Sequence, residues 1–223
     1  MGQGVGTALA HGAQTDLTLP ALLASPEHLT TIQQRLLRDD CFLVGRVNED
    51  PKDLAQHAKV TASSEQATGP AQSVIEGQTR AVHGKRGAPP ARCLPAAQRW
   101  LSDPAQGLPA TLELSFDAPV QPSEIQLVFD TGLHRHLTLS HHDGYTASKM
   151  EWGAAQRETV RDYDIDGFDG VTWQRLVAVT DNYARLRRHA VAATPPIQQL
   201  RVTVNATNGL DHARICELRL YGA

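Results

Sequence analysis

Hydrophobic and polar residues alternate along several short stretches from residue 58 onward. Leu112, Leu114 and Phe116 alternate with Glu113 and Ser115. The same period of two recurs in the stretches 60–65, 125–129, 200–206 and 215–221. Because successive side chains of a strand point to opposite faces, this pattern predicts strands with one buried and one solvent-facing side.

Turn-forming residues separate these predicted strands. They include Pro119, Asp143-Gly144, Asp166-Gly167, Pro195-Pro196 and Asn208-Gly209. No long helical pattern interrupts residues 111–222, which disfavours an α/β fold. Many short alternating strands with such punctuation predict a mainly β protein, folded as an antiparallel β-sandwich over residues 58–222.

The first 45 residues have a different, helical pattern. Ser25-Pro26-Glu27 is typical of a helix start, since Ser25 can accept from an exposed amide and proline suits the first helical position. Leu29, Ile32 and Leu36 then form one apolar face up to Arg38. We predict a short helical segment over residues 1–45 and a polar, proline-containing linker over 46–57.

The order of features in the predicted sandwich resembles that of discoidin-like, coagulation-factor type C domains. The matching pieces are AKVTASSE (58–65), SVIEGQTR (73–80), RWLSDP (99–104), 111–129 and 200–222. The resemblance implies a jelly-roll β-sandwich of the galactose-binding-like kind, with Trp100 in its core. Ser73 and Glu76 stand where the family usually has Asn and Asp.

Two sites follow from that resemblance. A structural Ca²⁺ site would use Glu76, Thr79 and Glu217, since Ca²⁺ prefers oxygen ligands. The alternative for Glu217 is a solvated carboxylate paired with Arg214 or Arg219. A glycan site would use an aromatic platform, for which we name Trp152, with neighbours His141, His142 and Tyr145. The alternative for Trp152 is an interface or partly buried position, and Trp173 is expected in the core.

The N-terminal segment resembles the end of the flavin-binding domain of FAD-dependent oxidoreductases. The matching pieces are MGQGVGTALA (1–10), IQQRLLRDDCFLVG (32–45) and NEDPKDLA (48–55). The resemblance implies that FAD in a full-length parent would contact a helix start built from Gly2, Gln3, Gly4, Gly6 and Thr7. The alternative is a segment whose glycines are incidental, because a lone glycine pattern is weak.

Composition and charge bear on binding partners, cellular compartment and cysteine chemistry. A net charge of −3 gives no basic footprint for nucleic acid, and no stretch is apolar enough to span a membrane. Residues 1–12 lack the basic start and apolar core of a signal peptide, which favours the cytoplasm if Met1 is the native start. Cys41, Cys93 and Cys216 are too scattered for a metal motif, and Cys216 is expected to be a small buried side chain.

We therefore expect an accessory β-sandwich module of an FAD-dependent oxidoreductase, whose partner is the remainder of a flavin-binding domain. A segment of 45 residues cannot enclose FAD, so this chain alone is expected to be inactive. Two alternatives remain open. One is a stand-alone carbohydrate-binding module, and the other is a protein–protein docking domain.

Overall fold

The computed structural model describes residues 2–79, 98–133, 150–151, 153–192 and 195–222. The strands in these ranges are β1 (Lys59–Ala62), β2 (Trp100–Leu101), β3 (Ala110–Val120), β4 (Pro122–Phe129), β5 (Val160–Phe168), β6 (Trp173–Val179), β7 (Leu186–Ala190), β8 (Ile197–Thr207) and β9 (Arg214–Gly222).

The strands form two antiparallel sheets. One has the order β1-β3-β8-β5-β6, and the other has the order β2-β9-β4-β7. Strands distant in sequence are paired in both sheets: Leu112 on β3 faces Val202 on β8, and Leu127 on β4 faces Leu218 on β9. The predicted fold class, an antiparallel β-sandwich after a short helical segment, is confirmed.

The hydrophobic core lies between the two sheets. Strands β3, β5 and β8 alternate between buried and partly exposed positions, as the period of two predicts. Trp100 is fully buried, and its indole N–H donates to the carbonyl of Ser64 at 2.9 Å. Its predicted place in the core is confirmed. The largest buried neighbours are Leu112, Leu114, Ile125, Leu127, Phe129, Tyr163, Ile165, Leu200 and Ile215.

Trp173 does not join this core. It is only partly buried and lies opposite Phe168 in the β5–β6 pair, with ring centroids 5.2 Å apart. The guanidinium of Arg201 stacks on the indole, 3.9 Å from its centroid. The expectation that Trp173 is a core residue is wrong, because β6 is an edge strand and this position faces the charged outer side of the sheet.

Three helices precede the sandwich: α1 (Gly2–Thr15), α2 (Leu19–Ala24) and α3 (Pro26–Arg38). The Ser25 hydroxyl caps α3 by accepting from the amide of His28 at 3.4 Å, as predicted. Leu22, Ile32 and Leu36 form a small apolar cluster of their own. Among the described residues, no helix combines the length and apolar character needed to cross a membrane.

The segment predicted to be a polar linker packs against β9. Asn48 and Asp53 are buried, and Asp53 bonds to Asn48 Nδ2 at 2.8 Å. The same carboxylate accepts from the amide of Leu220 at 3.0 Å, and Asp53 pairs with Tyr221 in an isolated bridge. Residues 54–57 follow as a 3₁₀ turn. The polar side chains of this segment therefore hold the chain to the sheet.

Candidate functional site

The loops at one end of the sandwich meet on the same surface. The antiparallel register puts Ala62, at the end of β1, opposite Leu112, at the start of β3. In the same way Thr207, at the end of β8, lies opposite Val160, at the start of β5. We call four of the described connections at this end, residues 130–133, 153–159, 180–185 and 208–213, the loop end. The opposite end carries the 169–172 turn.

Tyr183 is the most exposed aromatic side chain that the structure describes at the loop end. Its exposed fraction is 77%, although Asn182, its neighbour, is 1% exposed. Asp181, just before them, has a φ of 54°, a left-handed conformation that Asp tolerates better than most residues. The turn directs one side chain inward and the next one out into solvent.

Asn182 holds this turn in place. Its amide nitrogen donates to the carbonyls of Val160, at 2.7 Å, and Ala184, at 3.2 Å. Its amide oxygen accepts from the amide of Ala184 at 3.2 Å and from Arg187 Nη1 at 3.0 Å. Every donor and acceptor of the buried side chain is therefore used, and the backbone under Tyr183 is fixed.

A second asparagine joins two of the loops. Asn208 Nδ2 donates to the carbonyl of Thr159 at 3.0 Å and to the carbonyl of Asn182 at 3.1 Å. The 208–213 connection is therefore tied to the turn that carries Tyr183. Polar side chains on both connections lie at the same end as the aromatic ring.

Charged groups form a chain beneath this surface. Arg214 donates through Nε to His212 Nε2 at 3.0 Å, and His212 Nδ1 lies 2.7 Å from Asp211 Oδ1. Because arginine only donates, His212 carries its proton on Nδ1 and donates it to Asp211. That bond lowers the pKa of Asp211. Arg214 Nη1 and Arg99 Nη1 each lie 3.4 Å from Asp130 Oδ2, a buried carboxylate.

The predicted glycan residues Trp152, His141, His142 and Tyr145 lie outside the described residues. Tyr183 was not predicted. The feature of the sequence that could have indicated it is an aromatic residue directly after Asp181-Asn182. It lies in a polar turn with no apolar period that would place the ring in a core. The stretch around Trp152 likewise lacks a strand or helix period, so an aromatic residue in a non-periodic stretch is the feature that the two positions share.

The predicted calcium residues all have described contacts within the chain. Thr79 donates its hydroxyl to Asp40 Oδ1 at 2.9 Å. Glu217 is 1% exposed and its Oε2 accepts from Arg219 Nη2 at 2.6 Å. Burial raises the pKa of Glu217 to about 7, against the opposing charge of Arg219. Glu76 ends the 3₁₀ turn Ala71–Ile75 and is half-buried. In the described ranges, no group of three or more His, Cys, Asp or Glu side chains has metal-binding geometry.

The residues predicted to face FAD lie in the first two turns of α1. A Cβ added at Gly2, Gly4 or Gly6 would meet no atom within 4 Å apart from the adjoining residues and the backbone of the helix itself. Gln3 and Thr7 lie on the same two turns. The structure places these five residues together at the start of α1, which is separated in sequence by more than 100 residues from the loop end.

The architecture defines a β-sandwich module that presents an aromatic side chain on loops at one end. No protein-family model and no curated protein matches the sequence. Solved structures do match, and among them is the family 32 carbohydrate-binding module from C. perfringens NanJ in complex with galactose. It has a TM-score of 0.54 and 14% identity, over 76% of this chain and 98% of that one.

Two further matches have the same fold. A chitosan-binding module from a chitosanase/glucanase of Paenibacillus sp. IK-5 has a TM-score of 0.52 and 15% identity, over 76% of this chain and 98% of that chain. A Streptococcus pneumoniae fucose-binding module has a TM-score of 0.52 and 10% identity, over 80% of this chain and 100% of that chain. At these identities the likeness establishes the fold of carbohydrate-binding modules and discoidin-like domains. It gives no evidence for the expected parent, an FAD-dependent oxidoreductase.

Proposed function

We propose that this protein is a carbohydrate-binding module that holds a glycan at its loop end, with the Tyr183 ring as the stacking surface. The observation that carries the proposal is a tyrosine with 77% of its surface exposed, placed directly after the 1%-exposed Asn182. An aromatic face packs against the C–H groups of a sugar, and nearby polar groups select the orientation of its hydroxyls.

The rigidity of the turn favours binding. A glycan loses freedom when it binds, and a mobile platform would add its own ordering cost. Here the hydrogen bonds of Asn182 and Asn208 fix the backbone before any ligand arrives. Asp211, at the surface of the adjoining 208–213 connection, offers a carboxylate that can accept from sugar hydroxyls.

The solved relatives support the class of ligand. They are described as a module in complex with galactose, a chitosan-binding module and a fucose-binding module. Modules of this fold are thus described with different sugars. The glycan for this chain is therefore to be found by screening rather than by transfer from one relative.

A glycan microarray with the purified chain, followed by titration calorimetry, tests the proposal. We expect Tyr183→Ala to weaken binding of the selected glycan about tenfold, since loss of one stacking contact is worth about 1 to 1.5 kcal/mol. Val171→Ala is the matched control, because Val171 is 84% exposed in the 169–172 turn at the opposite end. Failure to bind any glycan more tightly than about 1 mM would overturn the proposal.

The earlier candidates Trp152, His141, His142 and Tyr145 remain a prediction for the same glycan site. Trp152→Ala belongs in the same titration series. If Trp152→Ala abolishes binding while Tyr183→Ala binds as wild type, the stacking residue is Trp152 and our assignment of Tyr183 is wrong. If both variants weaken binding, the two rings line one site.

The flavin resemblance also remains a prediction, and with it the partner that it implies. The observation that bears on it is the exposure of apolar side chains on α1, where Val5 and Leu9 are 55% and 53% exposed. Those side chains would be covered if the remainder of a flavin-binding domain packed on them. An immunoblot of the native polypeptide tests this. A band far above the 24.2 kDa of this chain, with a flavin absorbance spectrum, would support it, and a band at that mass would exclude it.

A further inference from the structure

The guanidinium of Arg185 lies in a cage of oxygen atoms. Its Nε donates to Asp40 Oδ2 at 2.6 Å, and its Nη2 donates to the carbonyl of Thr79 at 2.8 Å. Its Nη1 donates to the carbonyl of Phe129 at 2.9 Å. The Arg185 side chain is 14% exposed and that of Asp40 is 8% exposed. One cation thus joins the end of α3, the 76–79 segment and the end of β4.

Buried guanidinium groups contact two of the three residues that the discoidin-like resemblance would assign to calcium. Thr79 is one of the predicted calcium residues, and its carbonyl accepts from Arg185. Glu217, another of them, is paired with Arg219 through a 2.6 Å bond in which both side chains are 1% exposed. A divalent ion beside two buried guanidinium groups would meet strong repulsion. The residues present therefore do not fit a calcium ion.

The carboxyl end of α3 packs against the four-stranded sheet, which contains β4, β7 and β9. Arg219 Nη2 donates to the carbonyl of Leu37 at 3.1 Å. The carbonyl of Arg38 accepts from Gln126 Nε2 at 2.6 Å and from Arg188 Nη2 at 3.1 Å. The last carbonyls of a helix have no partner within it, and cations are favoured beside them. Arginines of β7 and β9 therefore satisfy the helix end that carries Asp40.

We propose that the guanidinium of Arg185 takes the place of a structural cation, so that this module is stable without calcium. The positive charge is covalently part of the residue just before β7, and its carboxylate partner, Asp40, lies just after α3. The loop end is then held by residues that are 145 positions apart in the chain. The proposal does not depend on glycan binding.

Thermal unfolding of the full chain tests it, with excess EDTA in one sample and millimolar calcium chloride in the other. We expect the same Tm in both for the wild-type protein. Arg185→Gln removes the charge and should lower Tm by roughly 10 °C, because Asp40 is left buried beside a neutral amide. Arg175→Gln is the matched control, since Arg175 pairs with Asp164 and Asp166 but is 51% exposed.

A wild-type Tm that falls in EDTA and recovers with calcium would overturn the proposal. So would an Arg185→Gln variant as stable as the control. If Arg185→Gln does not fold, Arg185→Lys replaces it: lysine keeps the charge but not the planar set of donors, and we expect a smaller fall in Tm than for loss of the charge. Equal stability of Arg185→Lys and wild type in EDTA would still support a cation at this position, whereas calcium dependence of either protein would refute the proposal.

Discussion

The hydroxyl of Tyr163 and Nε2 of His189 lie 2.8 Å apart inside the sandwich. Tyr163 belongs to β5 in the five-stranded sheet and His189 to β7 in the other sheet, so this bond joins the two layers. Burial is the main cause that lowers the pKa of His189 to about 4, and the charge of Arg187 acts in the same direction. Burial also raises the pKa of Tyr163 to about 12.

His189 should make the protein less stable in acid. The unfolded chain binds a proton at His189 near pH 6.5, whereas the folded chain resists it until about pH 4. His189 therefore does not reduce the free energy of unfolding above pH 6.5, and it reduces that free energy increasingly as the pH falls from 6.5 towards 4. Partial exposure of the ring limits the loss to roughly 1–2 kcal/mol. Urea denaturation across this range measures it.

The comparison of wild type with His189→Gln isolates this contribution. Glu217 acts in the opposite sense, since a pKa raised to about 7 costs stability as the pH rises from 4.5 to 7. Subtracting the curve of His189→Gln cancels that background. The exposed His57 gives the control His57→Gln, which should follow wild type. Parallel curves for wild type and His189→Gln would contradict the prediction.

Gly77 should not tolerate a side chain. Its φ is 77°, and a Cβ there would lie 2.6 Å from the carbonyl oxygen of Asn48. Gly77→Ala forces apart the 46–57 segment and the 76–79 segment, and we expect a loss of at least about 2 kcal/mol in the free energy of unfolding. Gly107→Ala is the control, since Gly107 has a φ of 66° but open space around it. It should lose only about 1 kcal/mol.

The Glu217–Arg219 pair should behave as a unit. Arg219→Leu leaves the Glu217 carboxylate buried without its partner and removes the donor to the carbonyl of Leu37. We expect a loss of about 3 kcal/mol. The double variant Glu217→Leu/Arg219→Leu should regain most of it, because an apolar pair carries no buried charge. Simple addition of the two single-variant losses in urea denaturation would show that the pair is not coupled.

Asn182 should matter for both stability and binding. Asn182→Ala leaves the carbonyl of Val160 and Arg187 Nη1 without their partner and should cost about 2 kcal/mol. It should also weaken glycan binding, because the turn that carries Tyr183 is no longer fixed. Tyr183→Ala, by contrast, should leave the free energy of unfolding unchanged. A stable Asn182→Ala protein with wild-type affinity would mean that the turn is held by other contacts.

Local pattern was enough to predict much of the fold. The period of two locates β3, β4, β8 and β9, since their inward faces must be apolar. The Ser25-Pro26 start and the apolar face of α3 are equally local features. The alternation does not reveal strands β5 and β6, because Asp162, Asp164 and Asp166 on β5 and Arg175 on β6 make these stretches look polar. Their charges pair across the outer face of the sheet, as the 2.5 Å bond between Arg175 and Asp166 illustrates.

The candidate site was less predictable. Tyr183 stands in a turn, and nothing in its neighbours along the chain shows whether the turn is at the loop end or the opposite end of the sandwich. The register between β5 and β8 decides that. The predicted residues Trp152, His141, His142 and Tyr145 share the connection between β4 and β5 and lie outside the described residues.

The sequence by itself determined strands β3, β4, β8 and β9 and the start of α3, because alternation and capping act over a few residues. Only the tertiary structure decided the partners of the charged residues. β7 is an edge strand, yet His189 in it and Arg185 just before it contact buried partners, Tyr163 and Asp40. Which carboxylate pairs with which guanidinium depends on how distant strands and a helix end pack together. A local sequence pattern contains no information about that packing.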